Sequence, residues 1–340
     1  MRKLRVSVLM HEALVPPEET TGVDLATVEW KTEFDVVTTL REMGHEVQVV
    51  GVRSDLTAIR NVIDAWKPHI AFNLLEEFDG VSVYDQNVVA YLELLRVPYT
   101  GCNPRGLMLA RDKALSKKVL SYHRISVPEF AVFPVGRKVK SRKRLSFPVI
   151  VKSISQEASL GISQASIVDN DDKLRERVAF IHTNVGTDAI VERYIEGREL
   201  YVGVLGNMRL KVFPVWELFL GGMPDEVRHI ATARVKWSLN YRKKHGIKSG
   251  EAKGLPEGMA EAIQHVAKRV YRVLNLSGYA RIDIRLDPTG KVYVLEANPN
   301  PEVAYGEDFA ESAEKAAVSY EVLLQRVLDL GLQWRPDRLG

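Results

Sequence analysis

The sequence predicts an α/β protein with more than one lobe: an open parallel sheet at the amino end, followed by lobes that mix helices with antiparallel strands. Over the first hundred residues, short β-rich runs alternate with amphipathic helical stretches, as a parallel sheet with crossover helices requires. Near the carboxy end, RIDIRLDPTGKVYVLEANPNP reads instead as two strands joined by a tight turn. At 340 residues and 46% hydrophobic, the chain can fill one large core or several of ordinary size. The expected boundaries are an amino-terminal α/β domain at 1–101, a central lobe at 102–205 and a carboxy-terminal lobe at 206–340.

LRVSVLM, EVQVVGV and HIAFNLL are the first three strands. Thr32 to Met43 and Leu56 to Trp66 are the helices between them, and Gly44 suits the end of the first. Tyr84 to Leu95 is a further helix, and Val97 to Thr100 a strand that closes the first domain near Gly101. From about Asp112 to Leu205 the pattern gives one helix, a proline-flanked strand and two strands separated by a loop. A helix at Pro256 to Leu274, the hairpin and a closing helix from Phe309 to Leu330 complete the chain. No internal repeat or low-complexity tract interrupts it.

Composition narrows the function. A net charge of +3 is too small to argue for a nucleic-acid partner. The basic run from Arg137 to Arg144 lacks interleaved aromatics and reads as a solvated face. The single cysteine, Cys102, rules out an intramolecular disulfide, suits a reducing cytoplasm and reads as a small core residue. The opening apolar run is too short for a secretory core or a membrane span. No G-x-G-x-x-G follows the first strand, which argues against a nicotinamide dehydrogenase.

The hairpin carries the chemistry. Alternation puts Arg281, Asp283 and Arg285 on one face of the first strand and Ile282, Ile284 and Leu286 on the other. Glu296 and Asn298, two apart on the return strand, share a face as well. Asp283, Glu296 and Asn298 therefore converge, and two carboxylates with an amide are the hard oxygen donors that Mg²⁺ takes while keeping positions for phosphate oxygens and water. Arg281 on the same face would meet a phosphate or a developing oxyanion. Lys152 ends the apolar run FPVIV, where a point charge projecting from a strand end suits a phosphate, and the loop SISQEASLG behind it offers backbone N–H groups.

The pattern R-x-D, hairpin, E-x-N, proline-rich loop resembles the metal end of the ATP-grasp superfamily, and in detail the D-alanine:D-alanine ligases. Three further segments resemble that family in the same order: Pro98 to Phe130, Phe147 to Ser163, and Ala189 to Gly206. The resemblance implies the ATP-grasp fold and a cytoplasmic, commonly dimeric, carboxylate–amine ligase that works through an acyl phosphate. It implies Lys113, Lys152, Ser159 and Lys236 on ATP phosphates, Glu192 and the backbone of Ile195 on adenine, and Glu199 on the ribose. It also implies two Mg²⁺ ions bridged by Glu296, with Mn²⁺ as a substitute. An ATP-grasp kinase that stops at phosphoryl transfer, and an ATP-binding regulator without turnover, are the alternatives.

Departures from the family pattern fall in the substrate half. The glycine-rich loop with serine and glutamate is replaced by MHEALVPPEETTG, where Glu12 is a substitute, and the histidine-glycine loop by NLLEEFDGVSVYD. Ala158 stands for the first serine of a pair. After Asn298, Glu307 and Asp308 occupy the expected acceptor site, although GEDFAES also reads as a capping box with Asp308 at the N-cap and Glu311 three residues on.

Overall fold

The computed structural model describes residues 3–139, 145–155, 163–222, 230, 232, 235 and 238–336. The amino-terminal lobe runs β1 (Arg5–His11), α1 (Lys31–Glu42), β2 (Glu46–Val52), α2 (Thr57–Trp66), β3 (Ile70–Asn73) and α3 (Asp85–Leu94). Its three strands are parallel in the order β2-β1-β3. β1 is buried on both faces because helices cover both: Val6, Val8 and Met10 pack with Val36 and Leu40 of α1, and Leu9 with the core that holds Ile59 of α2 and Val88 of α3. Val97 to Thr100 is extended, but only a single parallel bridge, Ala71 to Tyr99, joins it to β3. Proline at 98 cannot donate to a ladder and instead accepts from the Ala71 N–H.

The middle of the chain forms α4 (Pro104–Arg111), α5 (Lys113–Tyr122), β4 (Phe130–Phe133), β5 (Val149–Ser153), β6 (Ile167–Val168), α6 (Asp171–Phe180) and β7 (Ala189–Arg193). Asp112 caps α5 by accepting from the N–H groups of Ala114 and Leu115, so Lys113 is the first helical residue. The strands make an antiparallel sheet, order β4-β7-β5-β6, packed on Leu174 and Val178 of α6. A buried ion pair between Arg111 and Asp85 (2.5 Å) ties α4 back to α3.

The rest of the chain contains β8 (Arg198–Leu205), β9 (Lys211–Val212), β10 (Trp216–Phe219), α7 (Leu239–Lys244), β11 (Lys248–Glu251), α8 (Met259–Val273), β12 (Tyr279–Leu286), β13 (Val292–Pro299), α9 (Asp308–Lys315) and α10 (Tyr320–Gln333). The large antiparallel sheet runs β11-β10-β8-β12-β13, with β9 paired to β8. Strand β8, at the end of the expected central segment, is thus a member of this sheet. Leu200, Val202, Ile282, Ile284 and Val294 bury one sheet face against Ile263, Ala267 and Val270 of α8. Each of the valine, leucine and isoleucine side chains among these contributes about 1.5–3 kcal/mol on burial.

Three helical expectations need correction. Between Asp112 and Leu205 there are two helices, α5 and α6, rather than one. The helix expected at Pro256 begins at Met259, after Gly258 in a left-handed conformation (φ 72°). The closing helix is two helices, broken where Ala317 turns left-handed (φ 57°) and Ser319 caps α10. The break lets α10 turn so that Leu323, Leu324 and Val327 cover the amino-terminal sheet. The lobes also meet at Gly101: a Cβ there would lie 2.4 Å from Oδ1 of Asn300, the atom that accepts from the Cys102 N–H. Cys102 is fully buried, and burial pushes its thiol up to about 12, in keeping with the core reading. No helix among the described residues is long and apolar enough to cross a membrane.

Candidate active site

Register builds the polar face of the large sheet. Asp283 lies opposite Glu296 on one side and Tyr201 on the other; Arg281 lies opposite Asn298 and Gly203; Arg285 lies opposite Glu199. A bulge in β13 falls between these rows, leaving Leu295 as the extra residue. Such a residue has no ladder partner. Its carbonyl is instead taken by the Lys117 ammonium, reaching across from α5.

Lys117 is the centre of a buried cluster between the lobes. It and Glu192 are each only 1% exposed, with Nζ 3.3 Å from Glu192 Oε1. Lys152 Nζ sits 3.3 Å from the other carboxylate oxygen. Burial alone would raise the Glu192 carboxyl, but the two lysines outweigh it and hold it below its ordinary value. Burial lowers Lys117, whereas for Lys152 burial is more than offset by Glu192, which raises it. Lys113, at the start of α5, reaches Glu296 (3.5 Å). The carboxylate expected at the adenine edge is therefore also the anchor of two cations.

On the sheet, Arg281 clamps Asp283 with both prongs of its guanidinium (2.8 and 3.0 Å) and lies 4.8 Å over the Tyr201 ring. Burial opposes its charge, but Asp283 outweighs that and keeps Arg281 protonated. Arg285 donates to Glu199 Oε2 (2.5 Å) and to the carbonyls of Ile195 (3.3 Å) and Gly197 (3.2 Å), while the Tyr201 hydroxyl donates to Glu199 Oε1 (3.1 Å). Ile195 and Glu199 are thus fixed to each other through one guanidinium.

Asp283, Glu296 and Asn298 are two carboxylates and an amide on adjacent positions of one face, a donor set that fits a hard divalent cation. The Asn298 Nδ2 is buried without a hydrogen-bond partner, so the amide is not committed to the protein through that atom. Glu307 and Asp308 begin α9. Glu307, not Asp308, is the N-cap, and no side chain caps the helix, so the capping-box reading is corrected. Asp308 and Glu311 in the first turn still favour the positive helix end. Ser159 and Lys236, and residues 140–144 of the basic run, lie outside the described residues. Glu12 is half-exposed and paired with Arg53 (3.3 Å).

Three contributors escaped sequence reasoning. Lys117 follows Lys113 by one turn on the buried side of α5, and Glu33 occupies the buried face of α1 with Val36, Val37 and Leu40. In each case a charge on an apolar stripe was the available signal. Alternation gives the face of Arg285 but not its partner Glu199, because it says nothing about a residue on β8.

A family model described as D-ala D-ala ligase C-terminus matches residues 119–329, more than half of the chain. The chain is 32% identical over 301 residues to an uncharacterized protein, y4sG, of Sinorhizobium fredii, covering 87% of this chain and 85% of that one. It is 28% identical to a D-alanine–D-alanine ligase of Desulforudis audaxviator, covering 87% and 90%. The fold is that of the D-alanine–D-alanine ligase from Bacillus anthracis complexed with ATP, at a TM-score of 0.74, 22% identity and coverage of 97% and 98%. From the extent of these matches and the site they enclose, the chain belongs to the D-alanine–D-alanine ligase family of ATP-dependent carbon–nitrogen ligases, built on the ATP-grasp fold.

Proposed function

We propose that the chain joins a substrate carboxylate to an amine at the expense of ATP, through an acyl phosphate, and that D-alanine is not its preferred acceptor. The observation that carries this reading is the charge arrangement in the cleft. Lys113, Lys152 and Arg281 each stand against a carboxylate, Glu296, Glu192 and Asp283 respectively. A nucleotide with its metal would exchange those partners: the cations turn to phosphate oxygens, and Asp283, Glu296 and Asn298 hold the ion. We propose Mg²⁺, two ions with Mn²⁺ as substitute, as the metal that these residues would hold, and it would supply charge neutralisation at the transferring phosphoryl group.

The adenine edge is read by Glu192 and the backbone of Ile195, and the ribose by Glu199. Ser159 and Lys236 complete the phosphate contacts. In the first step a substrate carboxylate oxygen bonds to the γ-phosphorus as the bond to ADP breaks. In the second, the acceptor nitrogen adds to the acyl carbon, the tetrahedral intermediate loses phosphate, and the amine proton leaves to solvent or phosphate. Arg281 stabilises the negative charge that develops on oxygen. No protein nucleophile takes part. Glu307 and Asp308 bound the acceptor end, where carboxylates disfavour an acceptor that itself carries a free carboxylate. We further propose a cytoplasmic homodimer acting on small molecules, without a nucleic-acid partner.

The test is release of phosphate and ADP from Mg-ATP over pairs of small carboxylates and amines, with the amide product identified by mass. Phosphoryl transfer to a hydroxyl with no need for an amine would mean a kinase. Glu296→Gln is expected to abolish turnover in a folded protein; turnover equal to the parent with every substrate present would refute the metal assignment.

A further inference from the structure

A second group of acids, separate from those that face the nucleotide, gathers where the amino end of α1 meets the loop between β13 and α9. Glu33 is only 4% exposed, and its Oε2 has no hydrogen-bond partner. The neighbouring Thr32 hydroxyl donates to Glu302 Oε1 (3.3 Å), which brings the loop's carboxylate to the same helix end. Glu76, from the segment after β3, acts on both, and Glu307 acts on Glu302. The nearby cation Lys31 is taken by Asp35 (3.1 Å) and by the Tyr305 carbonyl (2.5 Å). Asp308, which acts on Glu307, acts also on Arg281, so charge links this group to the reacting centre.

A core offers no reason to bury a carboxylate with an open oxygen, since an amide or an apolar side chain of similar size costs less there. Desolvation, reinforced by like charge, pushes Glu33 and Glu302 each up to about 7. What would compensate such a site is a cation supplied from outside. Several carboxylates exceed the need of a single α-ammonium, which points to a charge carried on a side chain.

We propose that this acidic cluster binds the side-chain cation of a substrate, an ammonium or guanidinium remote from the reacting groups, with Glu33 and Glu302 as its principal partners. The inference rests on the ligase reading and narrows its substrates to basic amino acids as the carboxylate partner and polyamines as the amine.

Calorimetric titration of the full chain with Mg²⁺ and adenylyl imidodiphosphate tests it with matched probes. These are D- and L-lysine against D- and L-norleucine, 1,4-diaminobutane against butylamine, and D- and L-arginine. At least one cation is expected to bind about ten-fold or more tighter than its uncharged counterpart or, for arginine, than norleucine. Glu33→Gln and Glu302→Gln are each expected to erase that advantage without changing norleucine or butylamine binding. Both variants should be at least as stable as the parent at pH 8, because a buried repulsion is removed. No preference for any cation, or a preference that survives both substitutions, overturns the proposal, as does a loss of stability with binding unchanged. Phosphate release is followed in parallel. Turnover of neutral pairs with no cation preference rejects the cation site and leaves the ligase, whereas cation binding without turnover of any pair rejects the ligase reading alone.

Discussion

Glu33→Gln should change how the stability of the unliganded protein depends on pH. In the folded chain, burial, with smaller contributions from Glu76 and Glu302, raises Glu33 from 4.5 to about 7. A carboxyl that binds its proton more tightly in the folded state carries no penalty below about pH 4.5, where both states are protonated. Between about 4.5 and 7 the unfolded chain gains from ionisation while the folded one resists it, so the native state loses ground. Above 7 the loss is complete and constant. At about 1.4 kcal/mol for each pH unit, the gap corresponds to about 3 kcal/mol. Glutamine keeps the shape without the proton equilibrium and also relieves Glu302, which moves the result in the same direction. Urea unfolding of both proteins at pH 5, 6, 7 and 8, compared as a difference so that shared departures from two-state behaviour cancel, should show the variant gaining on the parent by up to about 3 kcal/mol across that window. A difference that stays flat within about 0.5 kcal/mol would refute the assignment of Glu33 as a buried acid held against its neighbours.

The nucleotide cleft supports two further tests. Lys117→Met removes one cation from a pair buried on both sides, and should destabilise the chain by about 3–5 kcal/mol while weakening ATP binding through Glu192; unchanged melting and unchanged calorimetric affinity would assign Lys117 no part in either. Lys152→Ala should weaken ATP binding in the ground state, whereas Arg281→Ala should lower turnover by about 10²-fold or more with a smaller effect on affinity; ATP titration and steady-state rates separate the two, and an undiminished affinity in Lys152→Ala would remove it from the phosphate site.

Periodicity made most of the architecture readable. The three parallel strands, their helices and the hairpin from Tyr279 to Pro299 follow from apolar spacing, because one face or both of each element is buried and a register slip would expose it. The shared face of Arg281, Asp283, Glu296 and Asn298 follows from the same alternation. What alternation cannot supply is a partner from another element. That Arg285 holds Glu199, and that Lys117 reaches the bulge carbonyl of Leu295, depend on which strands lie side by side and how the lobes close. The break at Ala317 shows the same division: Phe309 to Leu330 is apolar enough for one helix, and only the need to lay α10 on the amino-terminal sheet turns it into two. Glu33 marks the limit most clearly. Its place on the buried stripe of α1 was legible, but the carboxylates that press on it come from the segment after β3 and the loop after β13, brought together by long-range packing that no local pattern encodes.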